Sequence, residues 1–376
     1  MKKILLTCTD LMAVQFFTEH IIFWHENDWY VDLACSPVGG RVDELVEFFG
    51  NIENSSIRTV TLSRSPFKIS NLKGYRQLKR IAKKEHYDVV ITNEPVMGLL
   101  TRLAFANKKV TRVIYIAHGF HFYKGGSRVN NLIYKTIESF AARFTDSLVT
   151  INKEDFEAAK EFKLKKNGAI HYIPGIGVNT SKFYKSTEES YRKIREEIGL
   201  SEDDFAVAVI GELNDNKNQE AVIRAVASLK SDCPKLKLLF MGKGEKDGYL
   251  KSLCSELKVT DRTYFLGYRH DVNRILSVCN LGASASLREG LGLNVIEEMA
   301  AGLPIVASEN RGHKDIVAEN SGILLRENSV EEFAKAFRYF YNSPEKCEEI
   351  SKNNLELCKR FDINEVKSLL LSIIEG

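Results

Sequence analysis

The sequence predicts an α/β protein of two domains, each built on a doubly wound parallel sheet. Apolar runs of strand length alternate with amphipathic helical patterns along the chain, which is typical of βαβ units. The chain has 376 residues, more than one hydrophobic core usually organises, so two domains are expected. Between the two halves, Pro174, Gly175 and Gly177 fall within a short run, and Pro and Gly commonly mark a boundary.

The first half alternates strand and helix patterns from its start. Strands are expected at 3–8, 30–35, 59–62, 88–92, 112–117, 147–152 and 169–173, and helices at 14–25, 42–49, 71–85, 96–106 and 153–162. Strands joined through helices pair in parallel. The first strand leads into Thr7-Cys8-Thr9-Asp10 and not into a GxGxxG motif, which disfavours a dinucleotide-dependent dehydrogenase.

The second half repeats the alternation after a charged helix at 186–197 and a strand at 205–210. Its most informative stretch is 281–308, LGASASLREGLGLNVIEEMAAGLPIVAS. A strand at 281–286 is followed by a loop with Gly290 and Gly292, and a helical pattern then begins. Glycines let a ligand approach backbone N–H groups, and a helix N-terminus favours an anion, so we expect a phosphate above this loop.

Two carboxylates flank that loop, Glu289 before it and Glu297 in the helix. A carboxylate repels a phosphate but accepts hydrogen bonds from sugar hydroxyls. A ligand with a central phosphate and hydroxylated rings at both ends, such as a nucleotide-sugar, would use both acids. Spacing alone fits equally well the alternative that Glu297 and Glu298 favour a helix start while Glu289 is a solvated loop acid.

Composition and charge limit the class of protein. The composition, 44% hydrophobic and 27% charged, is that of an ordinary globular protein. The seven cysteines lack metal-like spacing and are expected to be reduced thiols in the cytosol. The sequence predicts neither a signal peptide nor a membrane-spanning run. Residues 1–175 contain 25 Lys and Arg against 18 Asp and Glu, a net charge of +7, which favours an anionic partner there.

The spacing Glu289-x7-Glu297 within SLREGLGLNVIEEMAAGLPIVAS resembles the donor-site signature of glycosyltransferase family 4. The resemblance implies the GT-B fold, two Rossmann-like domains facing each other across a cleft, and a retaining reaction. It also implies an acceptor-side domain at 1–175, a nucleotide-sugar-binding domain at 176–343, and a C-terminal helix at 344–376 that crosses back to the first domain.

In that family the first Glu contacts the donor sugar, the second binds the ribose, and loop amides hold the diphosphate. These roles fall on Glu289, on Glu297 and on the loop formed by Gly290, Leu291, Gly292 and Leu293. The family also carries a Gly, an Arg directly after it, and a Lys five residues later. Here these positions are Gly211, Glu212 and Lys217.

The anion at Glu212 departs from the family pattern. Either its side chain points away from the diphosphate or another cation compensates, with Arg311 and Arg288 as the candidates. The block Phe265-Leu266-Gly267-Tyr268-Arg269 resembles the strand and turn that read the base, which assigns Arg269 to the donor site.

The string AHGFHFYKGG, with SLVTIN at 147–152, resembles bacterial capsular and exopolysaccharide glycosyltransferases. It implies that His118 is the strand-end His that contacts the donor sugar. For His121, Tyr123 and Lys124, acceptor contact and loop packing remain equal alternatives. Thr9 and Asp10, in the loop after the first strand, are further acceptor candidates, although the family often has glycines there.

The helix at 71–85, NLKGYRQLKRIAKKE, is strongly basic. It fits a solvated outer helix that docks one apolar face on the sheet. It also fits a contact with an anionic membrane surface, where polybasic segments gain about 1 kcal/mol per Lys or Arg.

The predicted function is transfer of a hexose-type sugar from a nucleotide-sugar, expected to be UDP-linked, to a hydroxyl of a lipid-linked saccharide. Glu289, His118 and Lys217 are the candidate catalytic residues. No cofactor and no metal site are expected, and the protein is expected peripherally at the inner face of a bacterial plasma membrane, with no nucleic-acid partner. A UDP-sugar epimerase of similar fold and a catalytically degenerate partner subunit are the alternatives.

Overall fold

The computed structural model describes residues 2–37 and 42–376. The chain forms two compact domains, the first comprising Met1–Gly177 and Ile363–Gly376, the second Val178–Asp362. The return to the first domain therefore comes later than residue 344, where the sequence places it. Residues 344–357 form a helix that stays with the second domain, because Nδ2 of its buried Asn354 donates hydrogen bonds to the backbone oxygens of Leu303 and Ser321, at 2.7 and 3.0 Å.

The first domain is a seven-stranded sheet with the strand order 3-2-1-4-5-6-7, and every recorded strand pair is parallel. Its elements are β1 (Lys2–Asp10), α1 (Leu11–Val14), α2 (Thr18–Glu26), β2 (Trp29–Ser36), α3 (Val42–Gly50), β3 (Ser56–Thr59), α4 (Ser70–Lys84), β4 (Val89–Asn93), α5 (Pro95–Phe105), β5 (Arg112–Ala117), α6 (Arg128–Ala142), β6 (Ser147–Thr150), α7 (Lys153–Ala159) and β7 (Ala169–Tyr172). The strand order reverses beside β1, as in a doubly wound fold.

The second domain is a six-stranded parallel sheet with the strand order 10-9-8-11-12-13. Its elements are α8 (Glu188–Glu197), β8 (Phe205–Ile210), α9 (Gln219–Ser228), β9 (Leu236–Met241), α10 (Asp247–Glu256), β10 (Thr263–Gly267), α11 (Val272–Leu276), β11 (Leu281–Ser284), α12 (Leu293–Ala300), β12 (Ile305–Ser308), α13 (Arg311–Ile316), β13 (Gly322–Leu325), α14 (Val330–Tyr341) and α15 (Pro344–Leu357). The last helix, α16 (Ile363–Glu375), belongs to the first domain.

The predicted fold class of two doubly wound parallel-sheet domains is confirmed. Two local features differ from the sequence patterns. The third strand is Ser56–Thr59 and not 59–62, because the apolar Val60 and Leu62 are buried in the core after the strand has ended. The helix α6 has no counterpart in those patterns.

The central strands of the two sheets, such as β4 and β11, are buried throughout, whereas the edge strands are only partly buried. In the second domain, β8, β9 and β11 are the centre of a core completed by α9 and α14, with Val222, Phe240 and Phe337 fully buried. All seven cysteines carry free thiols, as predicted. In the described part of the chain, no helix combines the length and the apolar character needed to cross a bilayer.

Candidate functional site

The loop between β11 and α12 contains the glycines singled out by the sequence. Gly292, directly before α12, has a φ of +105°, a left-handed conformation that favours glycine. A Cβ atom at this position would lie 3.2 Å from Cδ2 of His313. Leu291 is buried, whereas Gly290 and Leu293 are half-buried. The positive end of the α12 macrodipole therefore lies at Gly292.

The loop that follows β8 is fastened to this first loop. The N–H of Leu287 donates to the backbone oxygen of Asn216 at 2.7 Å, and Nδ2 of Asn216 donates to the backbone oxygen of Arg288 at 3.0 Å. Gly211 opens the β8 loop, and its N–H donates to the backbone oxygen of Met241 at the end of β9, at 3.0 Å. The two loops are thus held together by backbone contacts.

Lys217 and Glu289 form an ion pair between these loops. Nζ lies 2.6 Å from Oε1, and the side chains are only 20% and 15% exposed. Burial alone would raise the pKa of Glu289, but the charge of Lys217 and hydrogen bonds from Lys217 and Ser286 outweigh burial and lower that pKa. Glu289 is therefore ionised at neutral pH, and Lys217 balances its charge.

Glu297 is half-buried in the second turn of α12. Burial raises the pKa of its carboxyl to about 7. At neutral pH this acid is therefore divided between its protonated and ionised forms. A ligand that donates hydrogen bonds to the carboxylate would favour the ionised form.

The next residue, Glu298, is a functional candidate that the sequence patterns did not distinguish from a helix-start acid. It is fully buried, and neither carboxyl oxygen has a hydrogen-bond partner within the part of the chain that the structure describes. A Cβ at Gly282 of β11 would lie 2.5 Å from Oε2, so glycine makes room for this acid. Burial and the charge of Glu297 raise the pKa of Glu298 well above its ordinary value, although Lys217 opposes them. Its environment therefore favours the protonated form of Glu298.

Arg311 and Arg288 are the two arginines considered as replacements for a cation at position 212. Arg311 forms a hydrogen bond with the glycine loop. Nε of Arg311, a residue 9% exposed, donates to the backbone oxygen of Glu289 at 3.3 Å. The side chain of Arg288 is exposed. Glu212 is also exposed, and its Oε2 accepts a hydrogen bond from Nδ2 of Asn214 at 3.1 Å.

Arg269 follows β10 and is held within its own turn. Nε and a terminal nitrogen of its guanidinium donate to the two carboxyl oxygens of Asp271, at 2.8 and 2.7 Å. This hydrogen-bonded pair raises the pKa of Arg269 and lowers that of Asp271. The predicted donor contact of Arg269 stays a prediction.

His313, at the start of α13, is a second buried group that the sequence patterns missed. Its Nδ1 lies 2.7 Å from the backbone oxygen of Ser308, and its Nε2 has no partner among the described residues. Burial lowers the pKa of the imidazole, although its hydrogen bond to the backbone oxygen of Ser308 and the charge of Glu289 oppose this, so the ring is neutral at pH 7. Its position in the first turn of α13, the helix that follows the carboxyl end of the parallel strand β12, is the signal that indicates a ligand site.

In the first domain, His118 lies directly after β5. Its Nε2 is 3.0 Å from Oδ1 of Asn93, the last residue of β4. Burial lowers the pKa of His118 to about 4, so its imidazole is neutral at pH 7. The structure thus places His118 at the carboxyl ends of adjacent strands, where open α/β sheets bind ligands.

Thr9 and Asp10 lie at the carboxyl end of β1, together with two charged residues that the sequence analysis did not name. The N–H of Thr9 donates to Oε2 of Glu94 at 2.6 Å, and Nε of Arg64 lies 2.8 Å from Oδ2 of Asp10. Arg64 also lies 3.7 Å from Glu94, which has a positive φ of 63°. The polar pair Asn93-Glu94 directly after a buried strand is the signal that could have identified this group.

The remaining acceptor candidates lie in the loop before α6. The rings of His121 and Tyr134 are 5.2 Å apart, which supports loop packing for His121. Tyr123 and Lys124 line a cavity of about 570 Å³ between this loop, α6 and α7. The cavity also contains Lys135 of α6 and several charged residues of α7. Loop packing and acceptor contact both remain compatible with this geometry for Tyr123 and Lys124.

Comparison with known proteins identifies the family. Residues 190–356 match the family described as Glycosyl transferases group 1, and residues 10–152 match the one described as Glycosyl transferase 4-like. The putative glycosyltransferase EpsD of Bacillus subtilis (strain 168) is 38% identical over 306 residues, which cover 81% of this chain and 80% of that protein. The chain belongs to the GT4-like glycosyltransferases.

Two further comparisons place this glycosyltransferase among characterised proteins. The UDP-Gal:alpha-D-GlcNAc-diphosphoundecaprenol alpha-1,3-galactosyltransferase of Escherichia coli is 27% identical over 358 residues, covering 92% of this chain and 89% of that one. The crystal structure of Anabaena Alr3699/HepE in complex with UDP-glucose matches with a TM-score of 0.81 at 19% identity over 100% of both chains. The glycosyltransferase therefore has the GT-B fold.

The second domain of the glycosyltransferase gathers complementary groups around one loop. A helix N-terminus favours an anion, and Lys217 supplies a partly buried positive charge. The carboxyls of Glu289 and Glu297 can accept hydrogen bonds from hydroxyls. This set can bind a ligand that has an anionic centre and hydroxylated groups on either side.

Proposed function

We propose that this glycosyltransferase transfers a hexose-type sugar, with retention at the anomeric carbon, from a UDP-sugar to a hydroxyl of a lipid-linked saccharide in bacterial capsule or exopolysaccharide synthesis. The observation that carries the proposal is the partly buried Lys217–Glu289 ion pair next to the glycine loop at the start of α12. The UDP donor is supported by the UDP-Gal in the name of the E. coli relative and by the UDP-glucose bound in the Anabaena complex. The lipid-linked acceptor is supported by the diphosphoundecaprenol in the first of those names.

In this proposal the diphosphate lies at the loop from Gly290 to Leu293 and within reach of Lys217. An ammonium group has three N–H donors, so Lys217 can keep its bond to Glu289 while donating to a phosphate oxygen. Positive charge fixed before the reaction stabilises the leaving diphosphate without reorganisation. A protein cation and a helix end thereby do the work that a metal ion does elsewhere, which is why we propose a metal-independent reaction.

Glu289 accepts hydrogen bonds from the donor sugar, and Glu297 accepts them from the ribose. In the first domain, His118 contacts the donor sugar as a neutral imidazole. Thr9 and Asp10, and the cavity at Tyr123 and Lys124, are the proposed acceptor contacts. Arg311 takes the place of the cation that is absent at position 212.

The activity is tested by incubating the protein with a panel of UDP-sugars, with and without an undecaprenyl-diphosphate-linked saccharide, in the presence of EDTA. The proposal requires release of UDP that depends on the acceptor, persists in EDTA and yields a product with the anomeric configuration of the donor. Conversion of the donor sugar without an acceptor would instead establish the epimerase. Binding of UDP-sugars without any turnover on the panel would favour a degenerate subunit.

Glu289→Gln should slow transfer while leaving the affinity for the UDP-sugar nearly unchanged. The amide keeps the shape of the side chain but loses a charged hydrogen bond worth about 1.5–3 kcal/mol, so kcat should fall roughly 10- to 150-fold. Steady-state kinetics with the native donor and a calorimetric titration measure the two effects. Full turnover by Glu289→Gln would remove the assigned role from this residue.

Proposed peripheral membrane binding involves α4, whose cations lie on its solvent side. Asn71, Gly74, Leu78 and Ala82 are buried against the domain, whereas the lysines and arginines are exposed. Changing Lys79, Arg80, Lys83 and Lys84 together to Ser should weaken sedimentation with anionic vesicles at low salt, without altering the affinity for donor. The difference should vanish at high salt, because the Debye length falls from about 10 Å at 0.1 M to about 3 Å at 1 M. Equal sedimentation of both proteins at low salt would show that α4 is only a solvated face.

A further inference from the structure

The helix α6 presents an apolar face to solvent. Val129 is 67% exposed, Leu132 70% and Ile133 50%, and Ile137 and Phe140 are exposed as well. These five residues, here termed the α6 face, follow one another at intervals of three, one, four and three positions, so they form a single stripe along the helix. Isolated exposed apolar residues are ordinary, but a contiguous stripe marks an interaction surface.

The opposite side of α6 explains why the apolar residues point outward. Glu138, the one carboxylate in the sequence of α6, is buried, and its two oxygens accept hydrogen bonds from Arg102 at 2.8 Å and from the hydroxyl of Tyr115 at 3.1 Å. The small Ala141 and Ala142 are buried beside it. The helix is thus attached to its domain by a buried ion pair and small residues, which fixes the apolar stripe on the outside.

The two ends of the α6 face carry cations. Arg128 and Arg143, directly at the two ends of the helix, are exposed, whereas Lys135 pairs with Glu161 at 2.6 Å. No acidic side chain of α6 lies on the outward side, because Glu138 is buried. An apolar stripe with basic ends, on a helix whose own acid is buried, is the pattern of a helix that lies in the interface of an anionic bilayer.

The same helix borders the cavity described above. Asn131 and Lys135 of α6 line it, next to the outward residues Leu132 and Ile133, and Lys124 and Lys153 line it from the neighbouring loop and α7. Glu154, Asp155, Glu157 and Glu161 line the cavity as well. A bilayer against the α6 face would therefore leave a recess of mixed charge close to the lipid headgroups.

We propose that the α6 face docks on an anionic lipid bilayer and inserts its apolar side chains below the headgroups. The inference rests on the proposed function in one respect: it identifies the surface that brings the protein to a lipid-linked acceptor. A helix of 15 residues is too short to span a bilayer and lies in the plane of the interface. Apolar insertion, unlike the surface charge of α4, is not screened by salt.

The test is sedimentation with vesicles of equal parts phosphatidylglycerol and phosphatidylethanolamine, at low salt and in about 1 M salt, where the Debye length is about 3 Å. The unaltered protein should keep measurable binding at high salt. The variant Leu132→Ser/Ile133→Ser/Phe140→Ser should lose it, with a partition coefficient lower by roughly 100-fold or more. Replacing the same three residues by Met should preserve binding, since Met remains apolar.

The matched control carries Val46→Ser, Leu355→Ser and Leu369→Ser, which are exposed apolar residues outside α6, and it should bind as the unaltered protein does. Equal binding by the α6 serine variant, with its circular dichroism unchanged, would overturn the proposal. The proposal would also be overturned if the unaltered protein failed to sediment with vesicles and self-associated through α6, because a second copy would then cover this face. The same variants are also titrated with a UDP-sugar and assayed for transfer to a detergent-solubilised acceptor. These two measurements separate a failure of membrane docking from a failure of the proposed function. Absence of transfer from every protein would refute the proposed function and leave the vesicle result valid.

Discussion

Replacing Lys217 by Met is expected to lower kcat/KM for glycosyl transfer by about 10²–10³-fold, the usual effect of deleting one preorganised donor to a developing negative charge. The side chain keeps its length but loses the charge that lies 2.6 Å from Glu289. Because burial is the strongest influence on Glu289 and Lys217 opposes it, the pKa of that carboxyl should rise in the variant. The lost charge and the raised pKa act on the same step, since the diphosphate loses a cation and the protonated form of Glu289 becomes more favourable.

A suitable control is Lys346→Met, which removes an exposed lysine of α15 that pairs with Glu349. Its kinetics should match those of the unaltered protein. A cycle with Lys217→Met, Glu289→Gln and the double variant should show strong non-additivity, because each single change leaves a buried partner unpaired. Unchanged turnover in Lys217→Met would show that the ion pair is structural and that the donor diphosphate is held elsewhere.

Glu297→Gln is expected to weaken binding of a UDP-sugar by roughly 10- to 150-fold, corresponding to about 1.5–3 kcal/mol for a charged hydrogen bond. It should also abolish the pH dependence of binding. In the unaltered protein the ribose hydroxyls favour the ionised carboxyl, and the pKa of the free carboxyl is about 7. Affinity should therefore fall about tenfold from about pH 8 to about pH 6. Calorimetry at several pH values measures both effects, and the diphosphate diester of the donor does not titrate in this range.

Glu297 should also make the stability of the fold depend on pH, in the direction opposite to its effect on donor affinity. Its pKa is raised from the ordinary 4.5 to about 7, so the folded protein holds the proton more tightly than the unfolded chain. The resulting stabilisation is present below about pH 4.5 and is lost as the pH rises to about 7.

Donor affinity that is independent of pH in the unaltered protein, or equally pH-dependent in Glu297→Gln, would contradict the assignment of Glu297 to the ribose.

Local pattern was sufficient for the fold class and for the principal loop. The glycine loop at Gly290 and Gly292 precedes a helix, as predicted. This could be predicted because the change from strand to helical spacing of the apolar residues is a local feature of the sequence. The structure also brings Lys217 and Glu289 into contact although they are 72 positions apart. Their common place at the carboxyl ends of parallel strands made that juxtaposition accessible to sequence reasoning.

The features that the sequence patterns did not predict depend on burial and on residues that are distant in sequence. Glu298 and His313 look like ordinary polar residues of helix starts, and only the packed structure shows that they are buried with orphaned atoms. The helix α6 was not predicted because its acid Glu138 points inward and its apolar residues point outward, which is opposite to the usual pattern of an amphipathic helix. The end of the second domain was misplaced because helical periodicity does not say which core a helix such as α15 joins.

The position of α16 has a consequence for how the chain is made. This helix belongs to the domain that contains β1, where Val366, Leu370 and Ile374 are buried, and Arg112 of β5 donates hydrogen bonds to the backbone oxygens of Ile373 and Ile374. The first domain emerges from the ribosome ahead of the second, yet it lacks one of its own core helices until the whole second domain has been synthesised. The uninterrupted second domain can therefore complete its fold first, although it is translated later.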